Sequence, residues 1–187
     1  MSLASDPRIR PARLEDAEGI TRCHVGGWKV HYRGILPQAY LDAIDFDERL
    51  AARKKMLVAS PWPGSRNWVV EEEGVIRGWA SAGACRDEDL AAPEGAPPPD
   101  VVHELYAIYV DPDLVGHGYG RALMQHCVRQ ARTAGHREMV MWVLTGNERA
   151  RHFYAAAGFV PDARRPATPF RDTGQTKMRL WRALGPS

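Results

Sequence analysis

The chain has 187 residues, 44% of them hydrophobic, with 25 Lys+Arg against 23 Asp+Glu and a formal net charge of +2. That is enough apolar material for one α/β domain over residues 1–187, and so even a charge leaves no electrostatic footprint for nucleic acid or a membrane surface. No apolar run is long enough to span a bilayer, and Met-Ser-Leu-Ala-Ser-Asp at the start lacks the apolar core of a signal peptide. The three cysteines, Cys23, Cys85 and Cys127, have no metal-ligand spacing and read as reduced thiols in a cytoplasmic protein without a metal.

In chain order, Ile9–Ala12 reads as a short strand limited by Pro11, and Arg13–Trp28 as a first helix with Leu14, Ala17, Ile20, His24 and Trp28 down one side. Gly26-Gly27 weakens the end of that helix. Pro37–Ile44 is a short helix with proline at its start. Asp47–Val58 is another, on which Arg49, Arg53, Lys54 and Lys55 read as a solvated face. Asn67–Glu71 and Val75–Cys85 are two strands joined by a hairpin turn at Glu73-Gly74. The acidic, proline-rich stretch Arg86–Asp100 cannot bury enough apolar surface to fold alone and reads as an exposed loop.

The centre of the chain is a strand, a glycine turn and a helix. Leu105, Tyr106, Ile108, Tyr109 and Val110 give a strand apolar on both faces, ended by Asp111-Pro112. Gly116-His117-Gly118-Tyr119-Gly120 follows, and then Arg121–Arg132, where Leu123, Cys127 and Ala131 make a helical stripe. Glycines let consecutive backbone N–H groups approach a ligand, and the new helix aims its positive end at the same place, so the unit suits an anion such as a pyrophosphate. The dinucleotide fingerprint fails, because its third glycine falls on Leu123 or Arg121. The phosphate loop of nucleotide triphosphatases fails too, because Arg121-Ala122 stands where Lys and Ser or Thr are needed.

Downstream, Met139–Leu144 is a second apolar run, read as a parallel neighbour of the first. Asn147 suits an N-cap for a helix carrying Ala150, Phe153, Tyr154 and Ala157 on one face, stopped by Gly158. Phe159-Val160 is a short strand, Pro161–Thr173 a long loop, and Thr176–Leu184 a last strand with Met178 and Leu180 alternating against Lys177 and Arg179. Hairpins first and crossovers later imply a mixed, mostly antiparallel central sheet flanked by helices.

The stretch Glu104–Phe159 resembles the GCN5-related N-acetyltransferases (GNAT). It holds the glycine loop and, after it, Asn147, Ala150, Phe153-Tyr154 and Gly158-Phe159 in the family's order. The loop departs at its first position, where Val115 replaces a Gln or Arg; backbone N–H groups do most of the phosphate work in such loops. The resemblance implies the acyl-CoA N-acyltransferase fold, acetyl-CoA as cosubstrate, and a small-molecule or peptide amine as acceptor. It also implies direct attack in a ternary complex and, as the family often shows, a homodimer. It places the pantetheine arm against Ile108, Tyr109 and Val110 and the pyrophosphate on Gly116, His117, Gly118, Tyr119, Gly120 and Arg121, with Asn147 beside the pantetheine. Glu104 matches the family's general base, with His103 a weaker alternative on the other side of the strand. Tyr154 matches the acid that protonates the departing thiolate. Tyr32 is read either as an acceptor-pocket residue or as core, and Trp28 as core. Arg164 and Arg165 read as a solvated pair, with an acceptor carboxylate as the competing reading. A non-catalytic acyl-CoA-binding module of the same fold is the alternative to an enzyme.

Overall fold

The computed structural model describes residues 7–60, 62, 64–87 and 102–185. One sheet runs through it in the order β1-β2-β3-β4-β5-β8-β6, with β7 also paired to β8. The strands are β1 (Arg8–Pro11), β2 (Arg66–Glu72), β3 (Val75–Ala84), β4 (Val102–Val110), β5 (Glu138–Leu144), β6 (Val160–Pro161), β7 (Thr168–Phe170) and β8 (Gln175–Ala183). The helices are α1 (Ala17–His31), α2 (Gln38–Asp42), α3 (Phe46–Val58), α4 (Tyr119–Thr133) and α5 (Glu148–Ala156). Every pairing is antiparallel except β4 with β5, which is parallel. The proline-rich stretch expected to form an exposed loop lies largely outside the described residues.

Both faces of the sheet are covered, which is why β2 and β4 are apolar in near-continuous order rather than alternating. On one face α4 packs Leu123, Cys127 and Ala131, all fully buried, against Val70, Ala80, Leu105 and Met141. This is the stripe its sequence predicts. On the other face α1 sets Ile20 and Cys23 against Val69 and Trp79. The hairpin between β2 and β3 turns through Glu73 and Gly74, both at positive φ (51° and 76°), a pair that matches the right-handed twist of the strands.

Several elements differ from their expected form. The first helix starts at Ala17, because Leu14–Asp16 winds into a 3-10 turn that leaves Leu14 exposed. It also runs on through Gly26-Gly27 to His31. These glycines serve close approach: a Cβ on Gly27 would lie 2.8 Å from the Tyr109 ring, and one on Gly26 3.3 Å from Pro112. Arg53 is not on a solvated face; it is buried, with its guanidinium 3.8 Å from the centre of the Trp79 ring. Arg179 is also buried, ion-paired to Asp162 and Asp87. Arg164 is no solvated residue either. It bridges Asp162 (2.8 Å) and Glu138 (3.0 Å), so its charge is already met inside the fold.

Candidate active site

The parallel pairing of β4 and β5 stops early. It covers Val102↔Glu138 to Leu105↔Met141, yet β4 continues to Val110 and β5 to Leu144. β4 also carries a bulge: Ser81 pairs with Ala107 and Ala82 with Leu105, leaving Tyr106 as the extra residue. Past that point the two strands part. The backbone groups of Ile108 to Val110 that would face β5 have no strand partner there. A cavity of about 350 Å³ fills the gap.

One part of its lining is the glycine loop. Gly116 and Gly118 have φ of 96° and 91°, in the left-handed region that favours glycine. Gly118 caps α4, and the helix's own ladder opens with the Ala122 N–H donating to the Gly118 carbonyl at 2.9 Å. The N–H groups of Tyr119, Gly120 and Arg121 therefore have no intrahelical acceptor and sit at the positive end of a fifteen-residue helix. Gly116, Gly118, Gly120 and the Arg121 side chain line the cavity. His117 and Tyr119 do not: His117 is exposed, and the buried Tyr119 hydroxyl donates to Glu72 at 2.8 Å. The His117 N–H already donates to the Leu114 carbonyl at 3.3 Å, so of these two residues only Tyr119 keeps a backbone N–H without an intrahelical acceptor.

The walls come from β4 and α5. Ile108, Tyr109 and Val110 line the cavity, as do Asn147 and Tyr154. Asn147 caps α5, its side-chain oxygen accepting from the Ala150 N–H at 3.0 Å. Tyr154 is buried, and burial with the nearby Tyr32 raises its hydroxyl pKa, so it stays protonated across physiological pH. Tyr32 lines the same cavity, with its hydroxyl 3.5 Å from that of Tyr109. Burial also drives the Tyr109 pKa upward. Among the described residues, no cysteine, serine, threonine or lysine lines this cavity. The three thiols are held protonated, burial pushing Cys23 and Cys127 up to about 12 and Cys85 to about 11.

Glu104 is not the isolated carboxylate its strand suggests. It does not line the cavity, and Arg86 holds both of its oxygens. The Arg86 backbone N–H and Nε donate to Oε2 at 2.8 and 3.2 Å, and Nη2 donates to Oε1 at 2.6 Å. Arg86 in turn lies 3.9 Å over the Tyr106 ring. His103 points to the opposite face, where its ring meets His136 at 4.7 Å. Nothing in the spacing of residues 86 and 104 announces their pairing; it follows from the β3–β4 ladder, which sets Ala84 opposite His103. The second set of residues that sequence reasoning missed, around His24 and Arg53, owes its assembly to the packing of α1 on α3.

Among the described residues no group of three or more His, Cys, Asp or Glu side chains could hold a metal ion, and no helix is long and apolar enough to cross a membrane.

Known proteins are similar to this chain in sequence and fold. The model of the acetyltransferase (GNAT) family matches residues 36–159. The Escherichia coli L-amino acid N-acyltransferase MnaT is 32% identical over 84% of this chain and 82% of its own length. The uncharacterized N-acetyltransferase YuaI of Bacillus subtilis is 31% identical over 74% of this chain and 72% of its own. Among solved structures, yncA of Salmonella typhimurium with its cofactor acetyl-CoA superposes with a TM-score of 0.69 at 25% identity, covering 98% of this chain and 96% of that one. A Thermoplasma acidophilum N-acetyltransferase in complex with coenzyme A has the same fold, with a TM-score of 0.72 at 18% identity over 98% and 99% of the two chains. With the splayed strands, the glycine loop and the capped α5 all in place, the chain belongs to the acetyltransferase (GNAT) family and is an N-acetyltransferase.

Proposed function

We propose that this enzyme binds acetyl-CoA in the β4–β5 gap and transfers the acetyl group directly to a primary amine of a small molecule or peptide. The observation that carries the reading is the cavity itself: unbonded N–H groups at the start of α4 form one end, and unpaired β4 backbone forms the wall. The N–H groups of Tyr119 to Arg121 and the Arg121 guanidinium hold the pyrophosphate. The backbone of Ile108 to Val110 and the Asn147 amide hold the pantetheine amides. A β4 N–H beside the bulge steadies the thioester oxygen as negative charge develops.

The attacking amine must be neutral, yet alkyl amines are protonated at neutral pH. Glu104 takes that proton through water. A carboxylate offers about four acceptor positions, and Arg86 fills three of them, leaving one on Oε1. The amine then attacks the thioester carbon, forming the C–N bond, and the C–S bond breaks. The thiolate leaves with a proton from the Tyr154 hydroxyl, and the proton that the new amide nitrogen sheds returns Tyr154 to the protonated form that burial favours.

The testing experiment is calorimetric titration with acetyl-CoA, coenzyme A and NADH, followed by an amine screen for coenzyme A release. Saturable binding of the two coenzyme A species but not NADH is expected. Failure of acetyl-CoA to bind would overturn the assignment of Gly116–Arg121 as the pyrophosphate loop.

A further inference from the structure

The glycine loop is fixed at its two ends and hardly touched between them. A Cβ on Gly116 would meet nothing within 4 Å, and one on Gly118 only an Arg121 nitrogen at 3.9 Å. Both glycines have positive φ, a region glycine reaches about as readily as the ordinary one, so their own backbone does not impose the observed shape. Gly118 gives α4 no side-chain cap, and the first turn of that helix carries no acidic residue. The aim of the Tyr119, Gly120 and Arg121 N–H groups is therefore set from outside the loop.

Both outside anchors come from the β2–β3 hairpin. Val70 pairs with Gly78 and Glu71 with Ile76, which leaves Arg77 as the extra residue of a bulge. The Arg77 carbonyl accepts from the Asp111 N–H at 2.9 Å, where the chain leaves β4 for the loop. At the loop's other end, the Tyr119 hydroxyl donates to Glu72 Oε2 at 2.8 Å. Arg77 Nε lies 3.5 Å from that same oxygen, so the carboxylate's charge is offset by a guanidinium. Tyr119 is the first residue of α4, and its ring is buried in the core that holds Val70 and Leu123. Packing asks only for a ring; the hydroxyl adds a charge-assisted bond that ties the ring's far end to β2. The Glu72 and Arg77 side chains are 22% and 24% exposed, which makes the pair a small term in stability and leaves position as its main effect.

We infer that Tyr119 and Glu72 are positioning residues for the coenzyme's diphosphate. They touch no part of the β4–β5 cavity and act through the backbone N–H groups of the first turn of α4. The inference rests on the reading of Gly116–Arg121 as the pyrophosphate loop, and it gives the β2–β3 hairpin, which contributes no lining residue, a part in coenzyme binding.

The test compares the parent protein with Tyr119→Phe, Glu72→Ala and Glu72→Gln. Coenzyme A is titrated by calorimetry. Pantetheine, which carries the arm without the diphosphate, is followed by ligand-observed NMR. Tyr119→Phe keeps the ring and every charge, and should weaken coenzyme A about fivefold with pantetheine unmoved and the melting temperature within a few degrees of the parent. The two Glu72 variants lose the same charge, but Gln keeps an acceptor for the hydroxyl. Glu72→Ala should therefore match Tyr119→Phe, while Glu72→Gln stays close to the parent. Unchanged coenzyme A binding in Tyr119→Phe, equal behaviour of the two Glu72 variants, or an equal fall for pantetheine would each overturn the positioning role. Those results leave the transfer reading standing, because the parent still binds coenzyme A. A parent that does not bind it sinks the loop reading and the positioning role together.

Discussion

Both carboxylate oxygens of Glu104 are held by Arg86, through one backbone and two side-chain donors between 2.6 and 3.2 Å. Glu104 is almost wholly buried, while a third of the Arg86 side chain meets solvent. The pair therefore sets the carboxylate's position, and any proton it accepts must reach it through its one open acceptor position.

Exchanging Glu104→Gln keeps the shape and removes the base. The turnover number should fall by about a hundredfold at neutral pH and recover partly at higher pH, where more of the amine is already neutral. Acetyl-CoA affinity should stay unchanged by calorimetry. An unchanged turnover number would assign Glu104 to structure alone. Arg86→Ala should destabilise by about 2 kcal/mol, because it strips a buried carboxylate of its charged partner and of two of its three donors, leaving only the backbone N–H. Urea denaturation reads this.

Tyr154→Phe removes the hydroxyl that burial keeps protonated. Turnover should drop by about a hundredfold with the Michaelis constant for acetyl-CoA little altered, since the lost bond forms chiefly to the departing thiolate. A large rise in that constant instead would make Tyr154 a binding residue.

Gly118→Ala places a Cβ on a backbone with φ of 91°. Free space surrounds it, the nearest side-chain atom being 3.9 Å away, so the strain is conformational, of about 1 kcal/mol. Relief would turn the first N–H groups of α4 away from the ligand. Coenzyme A affinity should fall at least fivefold, measured by calorimetry, with a smaller loss in melting temperature.

Gly27→Ala should disturb packing rather than conformation. Its Cβ would stand 2.8 Å from Tyr109 Cδ1. Overpacking of this kind costs about 1–3 kcal/mol. Because Tyr109 lines the β4–β5 cavity, both the melting temperature and acetyl-CoA affinity should decline together.

Acid should destabilise the protein through its buried histidines. Burial and the facing His136 lower His103 to about 4, below the ordinary 6.5. At neutral pH the ring is uncharged in both folded and unfolded chains. As pH falls below about 6.5, the unfolded chain takes up the proton first, so stability declines until the folded ring also titrates near 4. From pH 7.5 to 5 the loss at His103 is about 2 kcal/mol. In urea titrations at these two pH values, His103→Phe should show a correspondingly smaller drop than the parent.

Local rules made much of this protein readable before any coordinates. The stripe Leu123, Cys127 and Ala131 is buried as its spacing predicts, because a helix laid on a sheet must turn one face inward. The glycine loop, the Asn147 cap and the Gly158 stop also stand where the residues put them, since turns and caps depend on neighbours a few positions apart. The misreadings concern charge. Arg53, Arg164 and Arg179 look solvated in a linear chain, yet each is tied into the fold, and Glu104 looks isolated until β3 brings Arg86 beside it.

The sequence by itself determined the family, the sheet class and many of the residues that line the β4–β5 cavity, all of which rest on short-range patterns of glycine, capping and apolar period. Tertiary structure alone decided where β4 and β5 part, which glycines of α1 admit the Tyr109 ring, and which arginines meet a carboxylate. Those outcomes depend on strand register and helix packing between residues tens of positions apart, where electrostatic partners are selected by proximity in space and leave no spacing signal along the chain.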